Sequence, residues 1–111
     1  MGRFVGHGKS VKVTASAAVN QGDFVLAGGF FGLAVNSAGA GEEVVLNIEQ
    51  GEYETSQITT ADAFNAGDPV YWDDTNKKLT TEAGSGNRLV GRVTVAKDAN
   101  NVIWFMLGPQ V

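Results

Sequence analysis

At 111 residues, with 43% hydrophobic and 18% charged residues, the chain is long enough for one core and too apolar to be disordered. It has no cysteine and one histidine, His7, which excludes disulfides, argues against structural zinc and leaves partner subunits as the supplement open to a small core. A formal net charge of −4 with scattered Lys and Arg argues against nucleic acid, and no apolar run reaches the roughly 18 residues of a membrane span.

Residues 1–10, in which Phe4 and Val5 lie between glycines, read as a mobile N-terminal arm ahead of a single β domain over 11–111. The N-terminus lacks the apolar core of a signal peptide, and Gly6 stands where a myristoylation signal needs Ser or Thr, so a soluble, unprocessed product is expected. The segment Gly6-His7-Gly8-Lys9-Ser10 ends like a phosphate-binding loop. Arg3 occupies the position of its first glycine, however, and the residues after Ser10 alternate as a strand where a helix is required.

Alternation of period two then marks residues 10–15, with Val11, Val13 and Ala15 on one face. Further strands are expected at 24–27, 30–35, 44–49, around Tyr53, and at 70–72, 78–81 and 89–96, each bounded by Gly, Asn, Asp or Pro. The best helical candidate is one turn at 60–64, capped by Thr59 or Thr60. Asp73-Asp74-Thr75-Asn76-Lys77-Lys78 is too short for a calcium loop and reads as a hairpin turn. The last strand, 102–107, is apolar on both faces and is expected to be covered twice, once by the core and once by a second sheet or a neighbouring subunit.

An internal repeat organises these elements. Ala18-Val19-Asn20-Gln21-Gly22-Asp23-Phe24-Val25 matches Ala63-Phe64-Asn65-Ala66-Gly67-Asp68-Pro69-Val70 at five of eight positions, and Gly32-Leu33-Ala34-Val35 has its counterpart in Gly91-Arg92-Val93-Thr94. Asn20, Gly22 and Asp23, and likewise Asn65, Gly67 and Asp68, are read as structural turns: glycine supplies a positive φ, while Asn and Asp bond back to the main chain. The fold expected is all-β, a small β-sandwich or β-barrel made of two related β units with an extended N-terminal arm.

No catalytic constellation, cofactor site or metal site is read from the sequence. Glu42, Glu43, Glu49, Glu52 and Glu54 fall on or beside alternating strands as solvent-side residues, so the chain is not expected to be an enzyme. Phe30 and Phe31, Tyr71 and Trp72, and Trp104 and Phe105 come as adjacent pairs, so each pair sends one ring to each face of its strand. The surplus rings serve either a two-sheet core or a subunit interface.

Taken together, Phe4-Val5, Gly8, Val11-Lys12-Val13-Thr14-Ala15, Gly22-Asp23, Gly32-Leu33-Ala34, Gly67-Asp68-Pro69-Val70-Tyr71-Trp72-Asp73 and Leu89-Val90-Gly91 resemble the capsid cement, or head-decoration, proteins of tailed bacteriophages. The resemblance implies a virion protein, made in the host bacterial cytoplasm, that assembles as a homotrimer on the outer surface of the head. It would cement neighbouring major capsid proteins and stabilise the genome-filled capsid, with neither nucleic acid nor membrane as a partner. Arg3, Phe4, Val5 and His7 would form the capsid-binding arm, and the paired aromatics the subunit interface. The alternative is a carbohydrate- or host-surface-binding module on the virion, with Trp72 and Trp104 as its stacking platform.

Overall fold

The computed structural model describes residues 10–84 and 86–108. Among these, nine strands form: β1 (Ser10–Thr14), β2 (Phe24–Ala27), β3 (Phe30–Ala34), β4 (Glu43–Asn47), β5 (Glu52–Thr55), β6 (Pro69–Asp73), β7 (Lys78–Thr80), β8 (Arg88–Val95) and β9 (Ile103–Leu107). All strand pairs are antiparallel and fall into two sheets, β1-β4-β3-β2 and β5-β9-β8-β6-β7. Ser10, the last residue assigned to the arm from sequence, opens β1. Arg3, Phe4, Val5 and His7 lie outside the described residues.

The sheets are two copies of one four-stranded pattern. Leu33 pairs with Asn47 and Ala34 with Leu46 in the first, as Arg92 pairs with Met106 and Val93 with Phe105 in the second. Val25 faces Gly32 as Val70 faces Gly91, and Lys12 faces Val45 as Glu54 faces Trp104. The duplication read from one eight-residue match therefore extends through the strand registers, including β5, which shares no sequence identity with its counterpart β1. β7 is the addition in the second unit: it follows β6 in the chain and forms the sheet edge beyond it.

Each sheet rolls toward its own inner side. In the first, a Cβ on Gly28 would lie 3.1 Å from Val13 Cγ1, so the β2–β3 turn reaches the opposite edge strand and encloses a small aliphatic core around Val44, Leu46, Ala34 and Val19. The second closes through a parallel bridge of Ile58 to Leu79 just after β5. Its inner side, rich in Trp72, Phe105, Val70 and Ile103, receives Phe24 and Phe31 from the outer side of the first sheet, with Leu26 and Leu33 packed beside them. Ring centroids are 5.2 Å apart for Phe24 and Phe105 and 5.0 Å for Phe31 and Trp72, so aromatic packing joins the two sheets.

The helical turn expected at 60–64 is absent; no helix forms among the described residues. The carbonyls of Thr60 and Asp62, which a helix would use internally, instead accept hydrogen bonds from Lys97 Nζ at 2.7 and 2.8 Å. Asp62 is further held by Thr80 Oγ1 and the Thr81 N–H, which donate to its carboxylate. Tertiary bonds override a weak local preference for helix.

Candidate functional site: an uncovered sheet face

The duplicated Gly-Asp turns are structural and nearly superimposable in their bonding. Gly22 and Gly67 have φ of 92° and 91°, in the left-handed region that favours glycine. In each turn the Asp N–H donates to the Asn carbonyl at 3.0 Å, and the Asp carboxylate accepts from the Asn N–H. Each is then tied to the third strand of its unit: Gly22 N donates to Ala34 O and Gly67 N to Val93 O. These groups are consumed in holding strands together.

A second polar cluster sits at the β6–β7 hairpin, as the sequence leads one to expect. Asp73 accepts from the Thr75 and Asn76 main-chain N–H groups and from Asn76 Nδ2 at 2.7 Å. Hydrogen bonding from the Asn76 side chain and then its backbone lowers the Asp73 pKa. Partial burial works to raise that of neighbouring Asp74, but hydrogen bonds from Lys77 Nζ and Trp72 Nε1 outweigh it and leave it lowered. Lys77 itself adopts a φ of 55°. This is the bonding of a locked turn.

The aromatic pairs split as the alternation requires. Phe31, Trp72 and Phe105 are each no more than 1% exposed, inside the core of the chain itself, which corrects the expectation that they contribute to a subunit interface. Their burial also removes the two-tryptophan platform, because Trp72 is inaccessible and only Trp104, at 39%, reaches the surface. Phe30 and Tyr71 are half-buried, and Phe30 packs against the aliphatic core of the first unit. The sequence could not say which ring of a pair turned inward, since both members are equally apolar.

What stands out on the surface is the outer face of the second sheet. Trp104 and Met106 alternate outward along β9, while Ile103, Phe105 and Leu107 point into the core. Leu89 and Val95 on β8 are exposed beside them, with Tyr71 paired to Leu89 across β6. Four of the five exposed large hydrophobic residues among the described residues thus lie on these two central strands; the fifth, Val35, is on the other unit. Next to them Arg88, Leu89, Arg92 and Met106 line a shallow groove of about 550 Å³.

Contiguous apolar surface of this kind is uncommon on a monomer and marks contact with another macromolecule. Among the described residues no group of His, Cys, Asp and Glu side chains is arranged to hold a metal ion, and the groove is lined mainly by apolar residues and glycine, with Arg92 beside Met106. Fold and surface therefore define a class: a small duplicated β protein with an exposed apolar strip on one sheet face. The family model for phage cement protein matches residues 5–107, and the chain belongs to that family. No curated protein and no solved structure matches it. Membership makes the chain a structural phage protein with a capsid-stabilising role, associated with the virion capsid and bound to capsid proteins, in a family that is not one of enzymes.

Proposed function

We propose that this protein binds the outer surface of a phage head as a homotrimer and cements neighbouring major capsid proteins, so that the genome-filled shell resists internal pressure. The observation that carries this reading is the coincidence of family membership with an exposed apolar strip on a two-sheet body. A cement needs a body that does not deform under load, and the inter-sheet aromatic cluster and rolled sheets provide one. Trimerisation links three individually weak capsid contacts, raising avidity by about 10²–10⁴-fold when the geometry allows simultaneous engagement. Residues 1–10, with Arg3, Phe4, Val5 and His7, are proposed to reach the capsid by adding a strand to an exposed sheet edge.

The test is a comparison of genome-filled heads with and without this protein during heating. Heads that lack it should release DNA at a lower temperature, and purified protein added back should restore the wild-type value. Equal heat resistance of the two particles would refute the reading.

A further inference from the structure

The duplicated architecture identifies what is missing from the second unit. In the first, the outer face bearing Phe24, Leu26, Phe31 and Leu33 is covered, because it packs into the aromatic core of the second. The strand registers equate Leu33 with Arg92, Val45 with Trp104, Asn47 with Met106, and the Leu26–Phe31 pair with the Tyr71–Leu89 pair. The same face of the second unit still carries large apolar side chains, and Leu89, Val95, Trp104 and Met106 on it are exposed. The first unit cannot supply a further cover from its inner side, where Val44 and Leu46 are already fully buried within the roll.

Charge says what fits there. On one side of the Trp104–Met106 strip lie Glu52 and Glu54 of β5, paired in register with Met106 and Trp104. On the other lies Arg92, in register with Met106. Its guanidinium donates to Gly67 O, and no carboxylate pairs with it among the described residues. Glu52 accepts from the Thr94 hydroxyl, and neither Glu52 nor Glu54 is paired with a cation among the described residues. The apolar strip is thus flanked by uncompensated acid on one side and uncompensated base on the other, in a chain whose net charge of −4 repels its own copies elsewhere.

We infer that the outer face of the second sheet is the surface through which copies of this chain meet, with the Glu52–Glu54 side of one copy against the Arg92 side of the next and Trp104 and Met106 buried between them. When each copy offers its acidic side to one neighbour and its basic side to the other, the contact is heterologous, and a third-turn rotation closes it into a ring of three. The inference rests on the trimer reading above and extends it by naming the surface.

The experiment is the solution mass of the purified full chain by sedimentation, with wild type, Trp104→Glu, Arg92→Glu, Glu54→Arg and the Arg92→Glu/Glu54→Arg double variant, each checked for an unchanged thermal melt. Wild type should be oligomeric. Trp104→Glu should weaken association by about thirtyfold or more, as loss of a buried Trp anchor does. Each single charge reversal should weaken it, and the double reversal should recover it. A monomeric wild type at high concentration, an unchanged mass for Trp104→Glu, or no recovery in the double variant would overturn the assignment. Binding of the same proteins to undecorated heads separates the two readings. If Trp104→Glu keeps the wild-type mass while wild type still binds heads, the cement reading stands and this surface fails. If wild type associates through this face yet does not bind heads, the reverse holds. A wild type that is monomeric in solution and loses head binding on Trp104→Glu assigns the face to the capsid and refutes the inference.

Discussion

Replacing Gly91 by alanine tests how closely the paired strands of this fold must approach. A methyl group at Gly91 would lie 2.1 Å from Met106 O and 3.2 Å from Phe105 Cδ2, and the first contact is with backbone, which cannot rotate away. To restore an ordinary contact, β8 must move from β9 by about 1 Å, which carries neighbouring N–H···O bonds past their useful length of about 3.2 Å. Losing one or two such bonds costs about 1 kcal/mol each, and forcing atoms into a packed interior adds about 1–3 kcal/mol. The expected loss is about 2–5 kcal/mol, a large share of the roughly 5–15 kcal/mol available to a domain. Gly32, the counterpart in the first unit, has the same problem to a lesser degree, 2.6 Å from Asn47 O. Calorimetric melts should therefore rank Gly91→Ala below Gly32→Ala, and both below wild type, with a fall of roughly 8–20 °C for Gly91→Ala. Gly51→Ala, which meets nothing within 4 Å, serves as the control. Gly91→Ala melting within 2 °C or so of that control would refute the reasoning, given about 4 °C or more per kcal/mol.

Three other outcomes follow from the same structure. Gln57 acts as a surrogate strand, its side chain accepting from Phe24 N at 2.8 Å and donating to Phe24 O and Lys77 O; Gln57→Leu should lower the urea midpoint by the equivalent of about 1–3 kcal/mol, with the m-value unchanged. Because the pKa of Asp74 is lowered below its ordinary 3.8, its contribution is present above that value and is lost as pH falls through the folded pKa. Asp74→Asn should therefore narrow the difference in melting temperature from wild type between about pH 7 and pH 2, and a difference independent of pH would contradict it. Lys77→Gly relieves a left-handed lysine and should raise the melting temperature, by an amount equivalent to about 1 kcal/mol, unless loss of the Lys77–Asp74 ion pair offsets it; repeating the substitution in Asp74→Asn isolates the backbone gain.

The sequence shows the strands where alternation or turn chemistry marks them, as at Val11-Lys12-Val13 and at Asn65-Ala66-Gly67-Asp68. The repeat is legible where backbone geometry demands particular residues, at Gly22, Gly32, Gly67 and Gly91, and fades where any half-buried strand will serve. Hence β1 and β5 match in register with no identity between them. The single helical turn is misread at 60–64 because the bond that prevents it comes from Lys97, more than thirty residues away. The candidate site is the least legible part. In Ile103-Trp104-Phe105-Met106-Leu107 every residue is apolar, so alternation leaves no mark, and only the covering of one face by the first sheet decides that Trp104 and Met106 remain outside. Neither the Gln57 clasp nor the pairing of Glu54 with Trp104 leaves a local signal.

The placement of β9 between β5 and β8 also governs how the protein reaches its native state. The last strand in the chain occupies the interior of its sheet, as β4 does in the first unit, so β5 has no partner in its sheet until residues 103–107 have been synthesised. Until then Phe24 and Phe31 have no completed aromatic core to enter, and the first unit carries them on its surface. Assembly of the fold is therefore dominated by contacts between distant parts of the chain, a condition that slows folding and exposes sticky intermediates. A nascent chain cut short before β9 would be adhesive in the wrong place, displaying rings that the completed fold buries.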